Sequence, residues 1–224
     1  MEKKEEKIDW FLFPLPTTPL LKCDLNKQIM DYLWSIINTA KKDEEEKNSN
    51  KQLAGNISKS LYLDDVDNYF FNVILKDVCK QYIQENNKVP CFRNSLGGYH
   101  ISDVYLKEFW VNFSKQNEFN PLHDHSGVLS FVIWMDIPTK SEDQYEIPIA
   151  KNSALPSASD FQMTYSDITG AHRAHTIPMD PSLNGTMILF PSTMPHQVYP
   201  FYNCEKERVS ISGNLYYKGS FDKE

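Results

Sequence analysis

The sequence has no apolar run near the roughly 18 to 20 residues that a membrane-spanning helix needs. It has no excess of basic residues either, because 23 Lys and Arg stand against 30 Asp and Glu and the formal net charge is -7. Nonspecific binding to nucleic acid depends on clustered Lys and Arg. We therefore expect neither a nucleic-acid partner nor a membrane partner.

Cysteine is scarce, and no Cys-x-x-Cys pair is present, which argues against a zinc ribbon. Near the start, the apolar run Trp10 to Phe13 is broken at once by Pro14 and Pro16, unlike an export signal. The sequence therefore predicts reduced thiols and a cytoplasmic location. The cysteines are Cys23, Cys79, Cys91 and Cys204.

The 224 residues are 41% hydrophobic and 13% aromatic, which is enough for one folded domain over 1–224. Helical periodicity predicts two helices, Asp24–Lys41 capped by Asp24 and Asp65–Glu85 capped by Asp64 or Asp65. Between them, residues 41–60 are charged and Asn-rich, and we expect a flexible acidic linker there.

After Gly97 and Gly98 the sequence changes to short runs of β-branched and aromatic residues separated by Pro, Gly and Asn. This pattern predicts a mainly β protein: a double-stranded β-helix (jelly roll) over 99–224, with the N-terminal strand and helices of 1–98 packed outside it. Residues 139–160 show no period and are expected to form a long loop. The eight predicted strands are Asp103–Ser114, Leu122–His125, Leu129–Ile137, Phe161–Tyr165, His175–Met179, Thr186–Phe190, Gln197–Phe201 and Arg208–Tyr217.

Three histidines are candidates for a metal site. His123 and His125 are two residues apart before an apolar strand, so on a regular strand they share one face, and His196 follows a later strand. Imidazole ligands on a partly open face suit Fe, Zn or Cu. The alternative is that the His-x-His pair lies in a surface loop without a metal.

Arg208 and Ser210 share one face of the C-terminal strand. If that face is inward, the guanidinium is buried with no carboxylate nearby in sequence, which is costly. A ligand carboxylate would satisfy it with two parallel hydrogen bonds. The alternative is an outward Arg208 in a surface ion pair.

These motifs together resemble the Fe(II)/2-oxoglutarate-dependent oxygenases, and most closely a group of them found in bacterial and tailed-phage genomes. Phage origin would place the protein in the host cytoplasm. The segments that carry the resemblance are Leu12–Pro14, Trp110–Asn112, Phe119–Ser130, Gly185–Ser192, His196 with Val198, and Arg208–Ser210.

The resemblance implies an oxygenase that uses Fe(II), 2-oxoglutarate and O2 to hydroxylate a C–H bond of a substrate, which we expect to be a protein or peptide side chain. It implies that His196 and His123 are iron ligands, and that Arg208 with Ser210 binds the far carboxylate of 2-oxoglutarate. It also places Asn112 and Trp110 near the co-substrate, although Trp110 could equally be a core residue.

Position 125 departs from the family pattern, in which a carboxylate stands where this chain has His125. On a regular strand Asp124 would face away from His123, which favours His125 as the third ligand. Pro121 and Gly127 flank the motif and could make the strand irregular, which keeps Asp124 as the alternative.

Two other functions remain open from the sequence. The first is a three-His cupin-type metal dioxygenase that does not use 2-oxoglutarate, and the second is a noncatalytic jelly-roll binding module. His172 and His175 are three residues apart and are expected in a loop, and His100 has no predicted role.

Overall fold

The computed structural model describes residues 20–50, 54–87 and 104–217. Its strands are β1 (Leu21–Asp24), β2 (Lys59–Tyr62), β3 (Val104–Ser114), β4 (Asn120–His123), β5 (Leu129–Asp136), β6 (Phe161–Ser166), β7 (His172–Ile177), β8 (Thr186–Pro191), β9 (His196–Val198) and β10 (Arg208–Tyr217). Its α-helices are α1 (Lys27–Ala40), α2 (Glu44–Lys47), α3 (Lys76–Asn87) and α4 (Ser141–Tyr145). His100 and the predicted strand start at Asp103 lie outside the described residues.

The strands form two antiparallel sheets, which confirms the predicted double-stranded β-helix. The larger sheet has the order β1-β8-β5-β10-β3-β2, and the smaller has the order β4-β9-β6-β7. All eight predicted strands are present, six of them with shifted ends, and β1 and β2 add the two edge strands of the larger sheet. The end shift matters at β7, because His172 and His175 lie on this strand and not in the expected loop.

Helices cover the outer face of the larger sheet. Ile29, Leu33 and Ile37 are fully buried on α1 and join one apolar cluster with alternate residues of β3, β5, β8 and β10. The helix begins later than predicted, because Asp24 belongs to β1 and the cap is Asn26, whose Oδ1 accepts a 3.0 Å hydrogen bond from the Ile29 amide.

The second predicted helix is interrupted at its start. Asp65 caps it as expected, since its carboxylate accepts 2.8 Å hydrogen bonds from the Phe70 and Phe71 amides. A π-helical turn over Phe71–Leu75 then precedes α3. A π turn adds a residue and rotates the helix face, and Val73, which lies within it, is 45% exposed.

Two segments predicted to be irregular contain short elements. Part of the acidic linker forms α2 and the start of β2, held by polar side chains: Asn50 Oδ1 accepts from the Ser60 amide at 2.6 Å, and Ser49 donates to Ser60 at 2.9 Å. The expected loop 139–160 contains α4, where Gln144 donates to and accepts from the Tyr202 backbone. Side-chain hydrogen bonds order these segments, and hydropathy patterns do not detect them.

The space between the two sheets has an apolar part and a polar part. Trp134, Phe161, Met163 and Phe190 belong to a buried cluster that fills one side of it. The remaining space is a cavity described below. Among the described residues, no helix combines the length and apolar composition needed to cross a membrane.

Candidate metal and co-substrate site

A cavity of about 270 Å³ lies between the two sheets. Because side chains alternate along a strand, β3 and β10 each present one row of polar residues to it while their other rows face the helices. These rows are Glu108, Trp110, Asn112 and Ser114 on β3, and Arg208, Ser210, Ser212 and Asn214 on β10.

The three predicted metal ligands meet in this cavity. The candidate ligand atoms of His123, His125 and His196 all lie within 4.8 Å of one another. His123 and His196 are paired across β4 and β9, and their ring centroids are 4.4 Å apart. The centroid of His125 is 5.0 Å from each of the other two.

Hydrogen bonds orient two of these imidazoles. Nδ1 of His123 lies 2.7 Å from the Pro121 carbonyl oxygen, and Nδ1 of His196 lies 3.0 Å from the Met194 carbonyl oxygen. A carbonyl oxygen only accepts, so each Nδ1 carries the proton and each Nε2 keeps a free lone pair. This is the arrangement that histidine ligands of metals usually have.

The protonation state also suits a cation. Burial, together with the neighbouring His123, lowers the pKa of His125 to about 4 and that of His196 to about 3. Both side chains are therefore neutral at pH 7. Three imidazoles that converge with available nitrogen atoms fit a transition metal such as iron.

The structure separates His125 from Asp124. His125 lies beyond the end of β4, and its amide donates a 2.9 Å hydrogen bond to the Ser192 carbonyl oxygen, which ties it to the opposite sheet. Asp124 is exposed, although it lines the cavity. The predicted strand Leu122–His125 therefore ends two residues early, and a backbone bond to Ser192, the residue after β8, holds His125 at the cluster.

Arg208 is buried and faces the cavity. Its side chain donates to the Ser159 carbonyl oxygen at 2.8 Å and to the Tyr199 carbonyl oxygen at 3.2 Å, and its guanidinium lies over the Phe201 ring. These two bonds leave other guanidinium N–H groups for a ligand. Burial lowers the pKa of Arg208 to about 10, so the group stays cationic at pH 7.

The negative charge that acts on Arg208 is the carboxylate of Asp160. No motif in the sequence singles out this residue. Asp160 is fully buried and accepts hydrogen bonds of 2.9 and 2.7 Å from the Tyr145 hydroxyl. Burial raises the pKa of Asp160 to about 6, against the opposing effects of Tyr145 and Arg208. It forms no ion pair with Arg208 within 4.0 Å, so the guanidinium still has capacity for a ligand carboxylate.

The other predicted residues are placed as follows. Ser210 lines the cavity opposite Asn112 in the β10–β3 register. Asn112 Oδ1 accepts a 2.8 Å hydrogen bond from Ser60. Trp110 is 94% buried beside His125, with ring centroids 5.7 Å apart, and its Nε1 has no hydrogen-bond partner among the residues that the structure describes. Trp110 therefore lines the site and offers an unused donor.

The fold and this cavity define a jelly-roll protein with a candidate histidine metal centre and a buried cationic anchor. A family model described as "Putative 2OG-Fe(II) oxygenase" matches residues 108–214. That segment runs from β3 to β10 and contains all three histidines and Arg208. Over these residues the chain is similar to the 2OG-Fe(II) oxygenases, enzymes that use Fe(II), 2-oxoglutarate and O2.

Solved structures with a similar fold include a prolyl-4-hydroxylase from Pseudomonas putida, with 14% identity, a TM-score of 0.47, and coverage of 91% of this chain and 95% of that chain. A prolyl hydroxylase from Trichoplax adhaerens, in complex with a hypoxia inducible factor peptide fragment, has 14% identity and a TM-score of 0.48. The match covers 90% of this chain and 84% of that chain. An oxidoreductase of the 2OG-Fe(II) oxygenase family from Burkholderia pseudomallei has 13% identity and a TM-score of 0.36. The match covers 62% of this chain and 57% of that chain. No curated protein matches the sequence.

Proposed function

We propose that this oxygenase hydroxylates a C–H bond of a protein or peptide side chain, with His123, His125 and His196 as the iron ligands. The observation that carries the proposal is that these three imidazoles and the buried Arg208 open into one cavity. Bound Fe(II) would supply the centre at which O2 oxidises 2-oxoglutarate and the substrate.

The side chains around the cluster have distinct tasks in this proposal. Arg208, with Ser210, binds the far carboxylate of 2-oxoglutarate, because the guanidinium is held in place by two backbone carbonyls and still has free donors. Asn112 and Trp110 contribute donors to polar atoms of the co-substrate. The apolar rings of Phe161 and Phe190 pack against His196 and exclude water from that side of the cluster.

A peptide substrate is supported by the surface next to the cavity. Phe119 lines the cavity and is 39% exposed, and Leu122 on the adjacent strand is 54% exposed. Exposed apolar side chains beside a cleft are typical of protein-binding surfaces. The net charge of -7 opposes a nucleic-acid substrate.

A three-His cupin-type dioxygenase is the second candidate, favoured by a cluster that contains three imidazoles and no carboxylate. It does not require a buried cationic anchor on the C-terminal strand. The position of Arg208 in the same cavity therefore favours the enzyme that uses 2-oxoglutarate.

Calorimetry and product analysis test the proposal. Iron-loaded protein under anaerobic conditions should bind one equivalent of 2-oxoglutarate, and admission of O2 should release succinate. Iron binding without 2-oxoglutarate binding would contradict the proposal and support the cupin-type enzyme. Iron-free protein and protein loaded with zinc serve as controls, since neither should release succinate.

A further inference from the structure

Glu108 lies at the opposite end of the cavity from Arg208. In the β10–β3 register, Arg208 is paired with Ser114 and Asn214 is paired with Glu108. These two residue pairs are six residues apart along the strands, a distance of roughly 20 Å. Both Glu108 and Arg208 line the cavity, so its two ends carry opposite charges.

The histidine cluster lies between these ends. His125 contacts Trp110, which is two residues from Glu108 on the same face of β3. From Trp110 towards the other end of β3, the next residues on this face are Asn112 and then Ser114, which is paired with Arg208. If 2-oxoglutarate occupies the Arg208 side, as the proposed function states, the Glu108 side is left for the reacting side chain of the substrate.

A chain of hydrogen bonds holds the Glu108 carboxylate in place. Ser130 lies 2.9 Å from the Ser192 hydroxyl and donates to Asn214 Oδ1 at 2.7 Å, so the Asn214 amide group must donate elsewhere. It donates to Glu108 Oε2. The Tyr216 hydroxyl lies 3.5 Å from Oε1, which leaves that oxygen with capacity for a stronger partner.

No ion pair neutralises Glu108 within the part of the chain that the structure describes. Lys107, next to Glu108 in the chain, has its Nζ 4.7 Å over the Tyr216 ring. Asp124 also lines the cavity and adds a second negative charge. Trp110 Nε1, which has no hydrogen-bond partner within the described ranges, adds a free donor to the wall between His125 and Glu108.

We propose that the substrate of this enzyme carries a protonated amine or guanidinium, and that Glu108 is the residue that binds it. Tyr62 lines the same part of the cavity and offers an aromatic ring to the cation. Lysine and arginine side chains have the required chemistry, either within a peptide or as free amino acids. The inference rests on the proposed function of the same site.

The reaction balances with the co-substrates already assigned. A substrate C–H bond, O2 and 2-oxoglutarate give C–OH, succinate and CO2, with one oxygen atom entering the substrate and the other entering succinate. The step from Trp110 to Glu108 is two residues of strand, roughly 7 Å. The hydroxylated carbon should therefore be only a few bonds from the charged nitrogen.

A binding experiment tests the inference without turnover. Butylammonium and butan-1-ol are titrated into protein loaded with iron and 2-oxoglutarate under anaerobic conditions. Butylammonium should bind at least tenfold more tightly than butan-1-ol, and Glu108→Gln should remove this preference while 2-oxoglutarate binding is unchanged. Glu205→Gln, an exposed carboxylate outside the cavity, is the matched control and should behave like the wild type.

Turnover then separates the two sources of the cation. Capped peptides with a central lysine or norleucine, and free lysine, are compared by succinate release and by a product mass increase of one oxygen atom. Lysine should be preferred over norleucine in the peptide, with Glu108→Gln acting mainly on KM. Equal binding of butylammonium and butan-1-ol, with intact 2-oxoglutarate binding, would overturn this inference alone. Loss of 2-oxoglutarate binding in the wild type would overturn the proposed function and this inference with it.

Discussion

Replacement of Arg208 by alanine should separate co-substrate binding from folding. The substitution removes two hydrogen bonds to buried carbonyls, each worth roughly 1.5 to 3 kcal/mol when the donor is charged. It also removes a buried charge. Burial lowers the pKa of Arg208 to about 10, which corresponds to a cost of about 3 kcal/mol for the charged form in the folded state. These two effects oppose each other, so we expect only a modest loss of stability in the metal-free protein.

The effect on 2-oxoglutarate should be much larger. A desolvated contact between charged groups contributes roughly 2 to 5 kcal/mol to binding, so the dissociation constant should rise roughly 30-fold to several thousand-fold. Arg208→Lys should recover part of the affinity only, because an ammonium group cannot make two parallel bonds to one carboxylate.

Anaerobic calorimetry with iron-loaded protein measures the affinity, and thermal unfolding of the metal-free protein measures stability. Arg173→Ala, at an exposed arginine on β7, is the control and should leave 2-oxoglutarate binding unchanged. One result would refute the reasoning: Arg208→Ala largely unfolds the protein, while its folded fraction still binds 2-oxoglutarate with normal affinity. Arg208 would then have a purely structural role.

Two further predictions concern the histidine cluster. His125→Ala should abolish tight iron binding, whereas Asp124→Ala should retain most of it, because His125 lies in the cluster and Asp124 is exposed. Iron titration of both variants measures the two affinities. Weaker iron binding in Asp124→Ala than in His125→Ala would transfer the ligand role to Asp124. The metal-free protein should lose stability as the pH falls from about 6.5 towards about 3 to 4, because the unfolded chain takes up protons that the folded His125 and His196 do not. Chemical denaturation across this pH range should show a smaller loss in His196→Phe, and an identical pH dependence in that variant would contradict the explanation.

Periodicity along the chain was sufficient to predict the class of fold. Alternation of apolar and polar residues over Arg208–Tyr217 defines both faces of a central strand, and the structure places its ends at those residues. The same alternation placed Arg208 and Ser210 on one face, but only the structure shows that this face is inward. The helix Lys27–Ala40 was similarly predictable, although a local side-chain bond moved its cap from Asp24 to Asn26.

The candidate metal residues were also accessible from the sequence, but the reason they meet was not. The spacing of His123 and His125 predicted a shared strand face, whereas the strand ends at His123 and a backbone bond to Ser192 positions His125. That bond joins residues far apart in the chain, so no local pattern contains it.

Only the tertiary structure brought Ser159 and Asp160 to Arg208, and Glu108 to the cavity. Asp160 and Ser159 follow a segment without periodicity, and backbone hydrogen bonds to Tyr199 and Pro200 hold them beside Arg208. In the sequence, Glu108 is only one of several polar residues on an alternating strand. The strand register pairs it with Asn214, at the end of the cavity opposite Arg208. Alternation fixes which face a side chain takes, but the partners across a cavity depend on strand register and sheet packing, which involve residues distant in sequence.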